Sequence, residues 1–363
     1  MGFCCGIVGL PNAGKSTLFN LITSASVPAE NYPFCTIDPN VGVVSVPDKD
    51  LEALARIVKP EKVTHTTLEF FDIAGLVKGA SKGEGLGNQF LSHIRGVDAI
   101  VHVVRCFEDP DVSHVYNRVD PVSDTEIVLT ELILADLEIV ERRLASIDKG
   151  LKAGKKDHRG EHDLLISIRE VLQEGRCIKD SGIDFDPAEM KGLGLLTAKP
   201  YLIVANVGEE DLETPSRGLK EIQGWGVEHG VPVIPVCAKF ELEASELDPC
   251  DRDEILRSVG IEKSAIGDII STCYDLLDLI TFYTPVGREL KAWTLKRGST
   301  LLDAAGLIHT DIQKGFIKAQ VVSLEDFIRY SGMAGAKEAG VVLVEGKEFV
   351  VRHKDVVVIY FNK

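Results

Sequence analysis

Continuous apolar runs bounded by glycine, rather than strict alternation, dominate the first hundred residues. Cys5-Gly6-Ile7-Val8 reads as a buried strand, and a helix-like segment at 17–21 follows it. Residues 42–46 and 67–71 read as strands, and 99–104, 201–205 and 231–236 as strands buried on both faces. Helical segments fall between them, one at 89–95, so the pattern predicts a parallel, right-handed α/β sheet. The long gap between the fourth and fifth strands has a different period. Ile133, Leu137, Val140, Leu144, Ile147 and Leu151 recur at alternating steps of 4 and 3, a heptad seam. It breaks at Lys152-Ala153-Gly154-Lys155-Lys156-Asp157-His158-Arg159-Gly160 and resumes with Leu164, Ile168 and Val171. An antiparallel helical hairpin with a basic tip is expected, and an ordinary helix pair packed on the domain is the alternative. From about residue 279 the texture changes to short strands at 281–283, 289–294, 316–322, 341–344 and 356–361. A helix at 299–308, capped by Ser299 or Thr300, lies among them, which suggests a small curled mixed sheet over one helix. The expected domains are 1–120 with 200–278, a helical insertion at 121–199, and a C-terminal unit at 279–363.

Length and composition narrow the class without changing this outline. A chain of 363 residues is long for one domain. It has no run of about 18 apolar residues, so no membrane partner is expected. Residues 1–10 lack a basic segment and a cleavage-like site, which argues against secretion. Eight cysteines without a C-x-x-C pair or a histidine grouping read as reduced thiols of a cytoplasmic protein, not zinc ligands. The net charge of −16 disfavours the whole surface as a nucleic-acid binder. Residues 279–363, however, hold 12 Lys and Arg against 9 Asp and Glu, leaving −19 on the remainder. RNA contact is therefore expected from the C-terminal unit, with Lys291, Lys296, Arg297, Lys314 and Lys318, or from the hairpin tip with Lys152, Lys155, Lys156 and Arg159.

The chemistry concentrates at Gly9-Leu10-Pro11-Asn12-Ala13-Gly14-Lys15-Ser16, which fits G-x-x-x-x-G-K-[ST] between a strand and a helix. Such a loop wraps main-chain N–H groups of Asn12 to Thr17, including Ala13 and Gly14, round a polyphosphate. Lys15 reaches the β and γ oxygens, and the Ser16 hydroxyl joins a Mg²⁺ shell. Asp72 and Gly75, at the end of the 67–71 strand, supply the D-x-x-G partner: Asp72 for Mg²⁺ and the Gly75 N–H for the γ-phosphate. Residues 24–40, rich in Pro, Asn and Thr, read as a mobile switch loop in which Thr36 is a candidate second Mg²⁺ hydroxyl. Where a guanine reader would place Asn-Lys-x-Asp, the chain has Asn206-Val207-Gly208-Glu209. The bracing Lys is gone and Glu209 is one methylene longer, so guanine preference should weaken. Asn206 either helps to recognise adenine or fixes the loop, and Cys237-Ala238-Lys239 is a candidate second base loop. Leu76 stands where a catalytic Gln would orient water, so hydrolysis should be slow or use other groups. Asn12 is either a ligand for a monovalent cation such as K⁺ or a turn residue. His114 is either a water-positioning group or a surface histidine.

The phosphate loop, Asn31-Tyr32-Pro33-Phe34-Cys35-Thr36, Asp72 to Ser81 and the 83–90 segment resemble Obg-related GTPases. With 206–209, the insertion and Lys314-Gly315-Phe316-Ile317-Lys318-Ala319, the whole chain resembles the YchF/Obg-like ATPase family. The resemblance implies a Ras-like P-loop NTPase domain, an inserted coiled coil and a C-terminal β-grasp (TGS) domain. It further implies ATP over GTP, ribosome association, potassium stimulation through Asn12, the apolar Leu76 and a hydrolysis role for His114. Cys35, beside Thr36, occupies a position where relatives often have Thr. A slow, Mg²⁺-dependent, monomeric ATPase switch is expected. The rivals are a guanine-preferring Obg-like GTPase and an RNA-binding module tuned by nucleotide.

Overall fold

The computed structural model describes residues 2–24, 40–73, 86–109, 118–152, 159–183 and 192–362. Two compact units emerge, one made of 1–44 and 69–273, the other of 45–68 and 274–363.

In chain order the first unit contains β1 (Cys4–Val8), α1 (Lys15–Ser24) and most of β2 (Val41–Ser45). The chain passes through α2 (Lys49–Val58) and β3 (Lys62–Thr64) of the second unit and returns with β4 (Thr67–Asp72). There follow α3 (Leu86–Gly96), β5 (Ala99–Arg105), α4 (Pro121–Lys152), α5 (Arg159–Gln173) and β6 (Tyr201–Asn206). Next come α6 (Glu210–Glu213), α7 (Arg217–His229), β7 (Val233–Val236), α8 (Ala238–Ser245), α9 (Pro249–Ser258) and α10 (Ile266–Leu276). The sheet order is β2-β4-β1-β5-β6-β7, and β1 runs parallel to both β4 and β5. Every residue of β5 and β6 is buried, as expected of strands covered on both faces. The carboxyl ends of β1, β4 and β6 thus deliver the phosphate loop, Asp72 and Asn206, as in other open parallel sheets.

The heptad seam forms the α4–α5 hairpin. Ile133, Val140, Leu144 and Ile147 are buried with Leu165, Ile168 and Leu172, and Leu137 and Leu164 pack at the margin. Arg143 Nη2 meets Glu161 Oε1 at 2.6 Å across the pair. Asp136, wholly buried on α4, accepts from the Leu196 and Thr197 N–H groups, each at 2.8 Å, and from the Thr197 hydroxyl at 2.7 Å. Those bonds tie the insertion to the segment that leads into β6. Lys155 and Lys156 of the tip lie outside the described residues.

The second unit continues with β8 (Leu279–Val286), β9 (Glu289–Lys296), α11 (Leu301–Ile308), α12 (Thr310–Lys314), β10 (Phe316–Ser323), α13 (Leu324–Arg329), α14 (Met333–Glu338), β11 (Leu343–Glu345) and β12 (Asp355–Phe361). Its sheet order is β11-β10-β12-β8-β9-β3. Helix α11 starts at Thr300, whose side chain forms a reciprocal capping box with Asp303. The domain outline drawn from sequence left 45–68 with the phosphate loop, whereas here these residues complete the second unit. The reason is burial. Asp48 caps α2, whose Leu51 and Leu54 are fully buried among Tyr283, Leu290, Val322 and Phe327, and the Tyr283 hydroxyl donates to Asp48 Oδ2 at 3.0 Å. The apolar partner lies more than two hundred residues further along the chain, beyond the reach of any local pattern. Among the described residues no helix is long and apolar enough to cross a membrane.

Candidate nucleotide site

Between β1 and α1 the backbone turns through conformations that dictate its residues. Gly9 has φ +157, and a Cβ there would lie 2.3 Å from the Val103 carbonyl oxygen of β5. Gly14 has φ +95, and its Cβ would lie 2.1 Å from Asn206 Nδ2. Asn12 adopts φ 62, a left-handed conformation that asparagine tolerates better than most side chains. This makes Asn12 a turn residue by geometry, and the residue also lines the cleft.

Lys15 curls back so that Nζ donates to Leu10 O at 2.8 Å, leaving the residue 8% exposed. Burial lowers its pKa and the Asp72 carboxylate opposes that shift. An ammonium has three donors, so the Leu10 bond sets its direction and leaves capacity for phosphate oxygens. The Ser16 hydroxyl donates to Asp72 Oδ2 at 2.9 Å, bringing together two of the three expected Mg²⁺ groups. Two hard oxygens, one of them a carboxylate, suit Mg²⁺, which is held by few protein ligands together with substrate phosphates. Among the described residues no group of three or more His, Cys, Asp or Glu could form an all-protein cage.

Asn206 uses both ends of its amide. Nδ2 donates to Ala13 O at 3.0 Å, and Oδ1 accepts from Ala238 N at 3.3 Å. Of its two expected roles, fixing the loops is the one these bonds perform. A cleft of about 500 Å³ runs from Asn12, Lys15, Ser16 and Thr17 to Phe107, Gly208, Glu209, Cys237 and Lys239. Its size is that of a small-molecule site. The structure thus gathers Asn12, Ala13, Gly14, Lys15, Ser16, Thr17, Asp72, Asn206, Glu209 and Ala238. Thr36, Gly75, Leu76 and His114 lie outside the described residues.

Two contributors were missed from sequence. Arg105, 3% exposed at the end of β5, donates through Nε to Phe107 O at 3.0 Å and through Nη2 to Asp109 O at 3.3 Å. Its guanidinium carbon lies 4.6 Å from the Phe107 ring centroid, so it props the cleft wall. His102, 1% exposed, is paired in register with Val8 immediately before the loop. The signal for both was a polar residue inside an otherwise aliphatic strand.

Burial, aided by the positive charge of Lys15, pushes the His102 pKa down to about 3. An unfolded chain takes up this proton as pH falls below about 6.5, whereas the folded chain does not until about pH 3. Stability is therefore lost as pH falls through that window, with a slope approaching about 1.4 kcal/mol per pH unit. Urea unfolding at pH 7 and pH 5 should show the His102→Leu variant losing about 2 kcal/mol less than the parent. Equal losses in the two proteins would remove His102 as the source.

A family model described as a 50S ribosome-binding GTPase matches residues 4–135, and one named for the YchF GTPase C-terminus, described as a protein of unknown function, matches 279–362. The ribosome-binding ATPase YchF of Pasteurella multocida is 49% identical over the full length of both chains. Its Bacillus subtilis counterpart is 47% identical, again over all of both chains. Among solved structures, the Schizosaccharomyces pombe YchF GTPase superposes with a TM-score of 0.86 at 36% identity, covering 99% of this chain and 98% of that one. Full-length identity at this level, joined to the phosphate loop and Asn206-Val207-Gly208-Glu209, places the chain in the YchF family.

Proposed function

We propose that this protein is a Mg²⁺-dependent ATPase that acts as a slow switch on the ribosome. The observation that carries the reading is the single cleft that runs from Lys15 and Ser16 to Glu209. The relatives named as ribosome-binding ATPases supply its biological setting. Loop N–H groups and Lys15 bind the β and γ phosphates, and Ser16, Asp72 and Thr36 hold the cation. Bound Mg²⁺ supplies charge neutralisation between phosphate oxygens. Gly75 senses the γ-phosphate and His114 positions water in place of the glutamine that Leu76 replaces. Asn12 would hold K⁺, whose charge would offset negative charge developing in the transition state.

Base preference follows from acceptor geometry. Glu209, at the start of a four-residue helix, is one methylene longer than the Asp of a guanine reader and lacks the bracing Lys, so its carboxylate is displaced from the two guanine donors. Calorimetric titration with ATP and GTP, in KCl and in NaCl, tests the reading. ATP is expected to bind more tightly, with KCl accelerating its turnover and Asn12→Ala erasing that acceleration. GTP binding at least as tight as ATP would leave the Obg-like GTPase. RNA contact through the second unit is favoured by two cation–π pairs there, the exposed Lys318 over Tyr360 at 5.7 Å and the half-buried Lys291 over Trp293 at 3.7 Å.

A further inference from the structure

Glu209 can discriminate between bases only if the loop that carries it is rigid. Asn206 fixes the start of that loop. Its far end enters α6, a single turn with no fully buried residue, where only the half-buried Leu212 reaches the core, so hydrophobic packing alone does not fix it. Polar ties do. Asp211 Oδ2 accepts from Gly208 N at 3.3 Å, and Asp211 Oδ1 accepts from Ser216 N at 2.7 Å. Ser216 is itself the cap of α7, its hydroxyl accepting from Leu219 N at 3.2 Å. One carboxylate thus staples the Val207-Gly208 peptide, just before Glu209, to the start of a 13-residue helix whose Leu219 and Ile222 lie in the core. Its charge is also felt at two neighbouring thiols: burial raises Cys237, which lines the cleft, and Cys106, and Asp211 adds to the shift at each.

We propose that Asp211 is a positioning residue for base recognition, holding Gly208 and Glu209 where they meet the base edge. The inference rests on the reading of this cleft as a nucleoside triphosphate site with its base at Glu209. An aspartate that merely stabilised a turn would change melting temperature and leave the base-dependent share of affinity untouched. A positioning residue changes that share specifically, because the phosphate loop has its own anchors in Leu10, Asp72 and Asn206.

The full chain is titrated with ATP, GTP and inorganic tripolyphosphate, and the readout is the affinity advantage of the nucleotide over tripolyphosphate. Asp211→Ala is expected to cut ATP affinity about tenfold, the equivalent of about 1.4 kcal/mol, and to bring ATP and GTP closer together. Tripolyphosphate binding should stay within about twofold of the parent. Asp211→Asn keeps one acceptor oxygen and should fall between the two proteins. It also keeps the test decisive if the alanine variant fails to fold. ATP and tripolyphosphate weakening in parallel, or an unchanged ATP advantage in both variants, would overturn the proposal. A parent chain that binds GTP more tightly than ATP would defeat the ATPase reading alone, since the GTP advantage over tripolyphosphate then reports on Asp211. A parent that binds tripolyphosphate as tightly as either nucleotide would defeat both.

Discussion

Replacing Lys15 with methionine is expected to lower nucleotide turnover at least about 100-fold while leaving the ligand-free fold about as stable as the parent. The two halves of this expectation come from the same burial. At 8% exposure the ammonium is held charged against a desolvation cost, visible in its lowered pKa. What compensates is the Leu10 carbonyl at 2.8 Å and the nearby Asp72 carboxylate. Methionine keeps the volume of the stem, removes the buried charge, and leaves one carbonyl without its donor at a cost of about 1 kcal/mol. Those terms nearly cancel in the ligand-free protein. On the proposed reading they do not cancel with polyphosphate bound, because Lys15 would then face the oxygens where negative charge accumulates. Thermal unfolding with and without Mg-ATP is the check. The parent should gain stability with ligand by mass action, and the variant should gain almost none. A variant with parental turnover would refute the assignment.

The parts of the site legible in sequence are those whose chemistry is local. Gly9, Gly14, Lys15 and Ser16 lie in one loop whose backbone demands specific residues at fixed offsets, and Asp72 stands at the end of a recognisable strand. The cap at Thr300, one of the two candidates there, and the hydrophobic seam of α4 were readable for the same reason. What sequence left open is set by groups far apart in the chain. The two roles offered for Asn206 could be separated only by seeing Ala13, 193 residues before it, and Ala238, 32 residues after it, at the two ends of one amide. His102 sits in a run that reads as buried strand whatever its side chain does, and Arg105 lies one residue beyond the strand expected at 99–104. The 45–68 segment has its own cap and amphipathic face, yet nothing local says which core that face enters. Asp211 lies in an acidic surface turn, where carboxylates are ordinarily solvated, and only its bonds to Gly208 and Ser216 distinguish it from its neighbours.

Asn206→Ala is expected to destabilise the first unit by about 3 kcal/mol, more than any other single contact in the base half of the cleft. The side chain is 5% exposed and joins three segments: the end of β6, the phosphate loop and the start of α8. Truncation leaves the Ala13 carbonyl and the Ala238 N–H without their partner, and an unpaired buried backbone group costs about 1–3 kcal/mol. Asn206→Asp separates the two bonds. Its carboxylate still accepts from Ala238 N but turns an oxygen toward Ala13 O, so it should be at least as damaging despite its equal size. Gly14 supplies an internal control. A Cβ at Gly14 would collide with Asn206 Nδ2 at 2.1 Å, so Gly14→Ala should cost less in an Asn206→Ala background than in the parent. The strain of φ +95 is common to both backgrounds and drops out of that comparison. Denaturant unfolding of the two single variants and the double variant measures the coupling directly, with an expected value above about 1 kcal/mol. Strict additivity of the two substitutions would mean that the Asn206 amide does not pack against the phosphate loop in solution, and the bridge from base loop to phosphate loop would have to be abandoned.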